Sequence, residues 1–106
     1  MSYNGWSNYE TWNVALWLNS EYGSQSYWSE RARETYEDAE PDSPFTRAER
    51  ATLDLAEELE QEHEDNNPLL GQPSTYSDML NMALKEVNWY EVAESILEPV
   101  LDDIED

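Results

Sequence analysis

The residues able to do chemistry in this chain are carboxylates and aromatics, with one histidine. Of 106 residues, 25 are Asp or Glu against five Lys or Arg, a formal net charge of −20. His63 stands in Glu62-His63-Glu64-Asp65. General-base or transition-metal chemistry would need further ligands at set spacing, and the sequence holds no second histidine and no cysteine. His63 is therefore expected to be solvated near a helix C-terminus, where a basic side chain complements the helix dipole. Acid-pair hydrolysis or Mg²⁺ binding would need carboxylates gathered in a pocket. No calcium-loop pattern occurs, and three glycines leave no phosphate-cradling motif. No catalytic residue, cofactor or metal is expected, which points to a non-catalytic binding protein.

The acids themselves carry the sharper expectation. Asp54, Glu57 and Glu58 fall at i, i+3 and i+4, with Cβ atoms about 5–6 Å apart on a helix. Glu91, Glu94, Glu98 and Asp102 form a comparable ladder near the C-terminus. Like charges at this spacing cost helix stability, so their retention asks for a reason. Carboxylates several ångströms apart along a rigid helix come near the phosphate spacing of a nucleic-acid strand. These seven residues are thus candidate partner-binding groups, suited to a basic surface on a nucleic-acid-binding protein. The competing expectation is adaptation to a saline cytoplasm, or simple solubility. Lys85 is the single lysine, which fits that reading, whereas 17 Glu against 8 Asp fits it less well.

Charge also excludes classes. A net −20 repels phosphate and anionic lipid, so neither direct nucleic-acid binding nor membrane-surface binding is expected. No apolar run approaches spanning length and no signal peptide is visible, so a cytoplasmic location is expected. The length suits one domain over residues 1–106.

The elements that must position these acids read as all-α, a compact bundle of about five helices with an aromatic-rich core and an acidic surface. Asn8 would cap a helix over about 9–20, with Tyr9, Trp12, Ala15 and Leu16 inward. Gly23 would end it, and Ser24 or Ser26 would start a second helix to about 38, burying Tyr27, Trp28, Ala32, Thr35 and Tyr36. Glu40-Pro41-Asp42-Ser43-Pro44 reads as a connector. Thr46-Arg47-Ala48-Glu49 has capping-box spacing and opens a helix to about 62, with Ala48, Thr52, Leu55, Ala56 and Leu59 inward. A fourth helix over about 74–87 would bury Tyr76, Met79, Leu80, Ala83, Leu84 and Val87. Asn88 would cap the fifth, with Trp89, Val92, Ile96, Val100 and Ile104 inward and a kink or break near Leu97 caused by Pro99.

Charge divides along the same lines. Residues 1–29 hold only Glu10 and Glu21 as charged groups, residues 30–65 a net −10, and residues 86–106 a net −8. In residues 1–29, Trp6, Tyr9, Trp12 and Trp17 are expected in the core, except that Trp17 lies about 100° or more off the Trp12–Leu16 stripe, so that one of these tryptophans should be partly exposed. Such a patch would make a homodimer contact.

The string Asn8-Tyr9-Glu10-Thr11-Trp12-Asn13-Val14-Ala15-Leu16-Trp17-Leu18 resembles the opening of a family of small, uncharacterised acidic proteins of phages, mobile elements and haloarchaea. Asp78-Met79-Leu80, Ala83-Leu84 and Val87-Asn88-Trp89-Tyr90-Glu91-Val92-Ala93-Glu94 resemble its distal part. The resemblance implies an all-helical domain in a viral or mobile-element setting, acting in the host cytoplasm. It brings no activity with it. Phages encode acidic DNA-mimicking inhibitors of host defence, and by analogy of composition this chain is expected to be a nucleic-acid-mimicking inhibitor of such a system.

Overall fold

Four of five helices begin on a side-chain cap. In the computed structural model, which describes residues 3–41 and 44–105 (the side chains of Tyr22 and Glu105 excepted), the helices are α1 (Tyr9–Ser20), α2 (Tyr22–Asp38), α3 (Arg47–Asp65), α4 (Thr75–Glu86) and α5 (Trp89–Glu105). Asn8 accepts the Thr11 N–H at 2.9 Å, and Asn88 accepts the Glu91 N–H at 3.1 Å. Thr46 and Glu49 close the anticipated capping box, and Ser74 with Ser77 closes a second one. These contacts satisfy N–H groups that a helix leaves without partners.

α3 and α5 pack most extensively against each other, α2 lies across both, and α1 joins α2 to α5. Leu55, Leu59, Val92 and Leu97 form the fully buried centre, with Ala32, Ala51 and Ala93 allowing close helix approach. Trp28 and Trp89 are the buried aromatics, and Tyr36 packs at the edge. The described residues contain no strand. They measure 47 × 29 × 27 Å, and α4 makes its main helix contact with α1.

That arrangement corrects several assigned faces. α1 buries Thr11, Ala15 and Leu18, leaving Tyr9 and Leu16 exposed. Tyr9 and Trp12 instead cluster with Tyr3 at ring-centroid distances of 4.9–5.5 Å. Tyr3 sits there because Asn4 and Gly5 both take positive φ, 48° and 90°, in a tight turn that pairs Tyr3 with Trp6. Trp17 is indeed exposed, at 61%. α2 buries Trp28, Ala32 and Thr35, but Tyr27 faces out and donates to Glu62 at 3.2 Å.

The α1–α2 break falls on Glu21, whose backbone is extended, so Gly23 and Ser24 lie inside α2. Of the connector before α3, Asp42 and Ser43 fall outside the described residues. α3 runs one turn past Glu62 and takes His63 into its last turn. There His63 is half-buried, 5.0 Å from the Trp89 ring, and not the solvated residue anticipated.

α4 buries little beyond Ser77. Tyr76 and Met79 are exposed, while Leu80, Ala83 and Leu84 are half-buried and Val87 is buried. α5 is continuous through Pro99 and buries Leu97 and Val100, leaving Ile104 at the surface. Pro99 faces solvent, where water can take the carbonyl that its missing N–H would have served, so no break is required. Among the described residues no helix is long and apolar enough to cross a membrane.

Candidate basic-partner interface

Beyond Tyr90, α5 places an acid at every fourth position: Glu94, Glu98 and Asp102. With a rise of 1.5 Å per residue, they stand about 6 Å apart along one face. All three are exposed and line a groove of about 330 Å³ between α5 and the first turns of α3. Its floor is Ala48, Thr52, Leu97 and Leu101, and Tyr90 forms one wall. Glu49 adds a fourth carboxylate from α3.

The capping box fixes that fourth charge. Glu49 accepts the Thr46 N–H at 3.0 Å, and this bond, with the Thr46 side chain adding to it, holds its carboxyl below the usual 4.5. Tyr90 registers the field of the groove. Its hydroxyl is pushed above 10.0, first by burial and then by Glu94 and Glu49. No lysine or arginine lines the groove. An apolar floor under a carboxylate rim can take the alkyl stem and charged head of a lysine or arginine together.

The other candidate carboxylates lie elsewhere. A rotation of 100° per residue turns Asp54 and Glu58 by about 100–140° round α3 from the Ala48–Thr52 stripe, out of the groove. Asp54 pairs with Arg50 at 2.9 Å. Glu58 meets Arg31 of α2 at 2.8 Å. Glu57 is exposed and makes no hydrogen bond or ion pair among the described residues. Glu91 is half-buried and accepts the Ser7 N–H at 3.0 Å. Three of the seven candidates therefore share the groove. Glu49 and Tyr90 join them without having been singled out, because spacing within one helix does not reveal a groove between two. Among the described residues no group of three or more His, Asp or Glu could hold a metal ion.

Glu91 belongs to a polar clasp that joins the two ends of the chain. Asn8 Nδ2 donates to the Glu86 carbonyl at 2.8 Å, and the Asn88 N–H donates to Thr11 Oγ1 at 2.9 Å. The string from Asn8 to Leu18 and the string from Val87 to Glu94 thus meet in space. One family model matches residues 1–104, covering clasp and groove together. The chain belongs to this family, a family of unknown function (DUF7249). No curated protein and no solved structure matches the chain. Asn8, Thr11 and Asn88 have a structural role in the clasp and Glu49 has one in the capping box, while Glu94, Glu98 and Asp102 make no hydrogen bond or ion pair among the described residues.

Proposed function

We propose that this protein is a non-catalytic binding protein whose α3–α5 groove receives a lysine- or arginine-rich surface of another protein. The observation that supports this most is four carboxylates around an apolar floor with no basic residue in the lining. Self-repulsion inside the groove is relieved when cationic groups enter it. Surfaces of that charge are found on proteins that bind nucleic acid, since phosphate affinity is supplied by lysine and arginine. In its most concrete form, the protein is a phage or mobile-element inhibitor that occupies the nucleic-acid site of a host defence protein, acting in the host cytoplasm.

The test is capture from host lysate at low and then high salt, followed by competition between the protein and DNA or RNA for the captured partner. Reversing Glu94, Glu98 and Asp102 to lysine should abolish capture, whereas reversing Glu57 should leave most of it. Equal capture by wild type and the triple variant, or a partner that binds no nucleic acid, sinks the reading.

A second reading, adaptation of the surface to high salt, is favoured by the acids spread beyond the groove. Asp54, Glu57, Glu58, Glu60 and Glu64 cover the opposite face of α3. A strong requirement for molar salt in folding would support it. The exposed aromatics admit one further contact, a homodimer, which light scattering would detect.

A further inference from the structure

At the opposite end of α3 from the groove, roughly 20 Å along the helix, lies a second cleft of about 330 Å³. Trp28, Leu80, Leu84 and Pro68 give it apolar walls, and Glu62, His63, Asn66 and Asn67 give it polar ones. We propose that this cleft is a recognition pocket for a guanidinium group, the head of an arginine side chain from a partner.

The polar walls offer acceptors, and part of their donor capacity is already used within the protein. The Leu59 carbonyl can only accept, so in the neutral ring His63 Nδ1, 2.7 Å away, carries the proton and Nε2 is the acceptor. Asn66 donates its amide to the Glu62 carbonyl at 2.9 Å, and Asn67 donates to Asn81 at 3.2 Å. Glu62 receives the Tyr27 hydroxyl on Oε2 and makes no hydrogen bond through Oε1 among the described residues.

Two further features set the sign and shape of the ligand. The cleft lies at the C-terminus of α3, the negative end of the helix macrodipole, which favours a cation. Trp28 is only 5% exposed and closes the cleft without offering a ring face, so Leu80, Leu84 and Pro68 make the accessible apolar wall, which suits a planar, weakly hydrated guanidinium better than a strongly hydrated ammonium. A carboxylate oxygen without a hydrogen bond among the described residues and a ring-nitrogen acceptor beside an apolar cleft fit arginine in charge and in its several divergent donors.

The experiment uses the full chain and N-acetyl-L-arginine N-methylamide, followed by NMR at the Trp28 indole and the His63 ring. The citrulline analogue, equal in shape but uncharged, and the lysine analogue are the comparisons. Saturable shifts with a dissociation constant on the order of 1 mM are expected for arginine. Binding should weaken about tenfold or more for citrulline and for Glu62→Gln, which each remove a charge-assisted hydrogen bond. Shifts that never saturate, an equal response to citrulline or lysine, or an unchanged response in Glu62→Gln each overturn the assignment. Leu80→Arg should fill the cleft with its own guanidinium and abolish the response while amide dispersion stays native. If that variant does not fold, the Glu62→Gln comparison decides alone.

Discussion

The hydroxyl of Thr11, in the first turn of α1, accepts the backbone N–H of Asn88 at 2.9 Å, across 77 positions of sequence. The same hydroxyl donates to Asn8 Oδ1 at 2.6 Å, so one buried oxygen ties the cap of α1 to the residue that caps α5. Asn8 and Asn88 begin helices that would otherwise meet only through side-chain packing. The clasp fixes where α5 starts relative to α1, and with it the angle at which Glu94, Glu98 and Asp102 are presented.

Thr11→Val keeps the shape and removes the oxygen, leaving the Asn88 N–H without its acceptor. Thr11 is fully buried, so water has no ready access to replace it. The expected loss is about 1–3 kcal/mol, against about 1 kcal/mol for Thr11→Ser, which keeps the hydroxyl and loses a methyl. Urea unfolding at fixed salt measures both. Equal losses for the two variants would show that the hydroxyl does not hold the clasp.

Glu57 and Glu58 are neighbours in sequence with opposite energetic roles. Glu58 holds Arg31 through Nε at 2.9 Å and Nη2 at 2.8 Å, while the Thr35 hydroxyl, 3.3 Å from its other oxygen, donates chiefly to the Arg31 carbonyl at 2.6 Å. The pair is about one-third exposed, so Glu58→Gln should cost about 0.2–1 kcal/mol. Glu57 stands among like charges without a cation, so Glu57→Gln should gain about 0.2–0.5 kcal/mol. Shifts of the same sign in thermal or urea unfolding would contradict this division.

Those two residues show what the sequence could and could not convey. The spacing of Asp54, Glu57 and Glu58 places them on one helix face, but Arg31 arrives from α2, and spacing within a helix says nothing of it. Caps were legible because the donor, the acceptor and their separation all lie within four residues, as at Asn8, Thr46 and Asn88. The inward faces of α2, α3 and α5 were largely legible because each packs on two others, so the apolar stripe has to be covered. α4 misled because it lacks that neighbourhood. Periodicity marks Tyr76 and Met79 as a stripe without showing that nothing covers them. In α1 the small residues Thr11 and Ala15 took the buried face, and the aromatics turned to Tyr3. The signal for that turn is local, Asn4-Gly5 ahead of an aromatic run, a dipeptide that tolerates positive φ at both positions.

The groove makes a prediction about pH. Glu49 has its carboxyl held below 4.5 in the folded protein, chiefly by the Thr46 backbone N–H. A depressed folded value means that its contribution to stability is present above the unfolded value. It is lost as pH falls through the folded one. The stability gap between wild type and Glu49→Gln should therefore be largest near neutral pH and narrow below about 4.5. All other carboxylates are common to both chains, so their effect cancels in the difference. A gap that stays constant from pH 7 to pH 3, read by chemical denaturation, would mean that the capping box does not depend on the charge.

Salt separates the two meanings of the acidity. Four ion pairs among the described residues, Arg31 with Glu34 and Glu58, Arg33 with Asp103, and Arg50 with Asp54, pair only four of the 25 acids, and a net charge of −20 remains. The remaining repulsion is long-range and is screened once the Debye length falls to about 8–10 Å, near 0.1–0.15 M salt. The core contains Leu55, Leu59, Val92 and Leu97 fully buried and no charged group. Folding should therefore not depend on molar salt. Tm is expected to rise steeply up to about 0.2 M salt and then to flatten. Replacing Glu94, Glu98 and Asp102 by glutamine should raise the low-salt Tm and reduce that early rise, because three like charges on one face contribute to it directly. A Tm that climbs steadily into the molar range, with the triple variant following the same curve, would mark the acidic surface as an adaptation to saline water and would remove the energetic reason for a cationic partner.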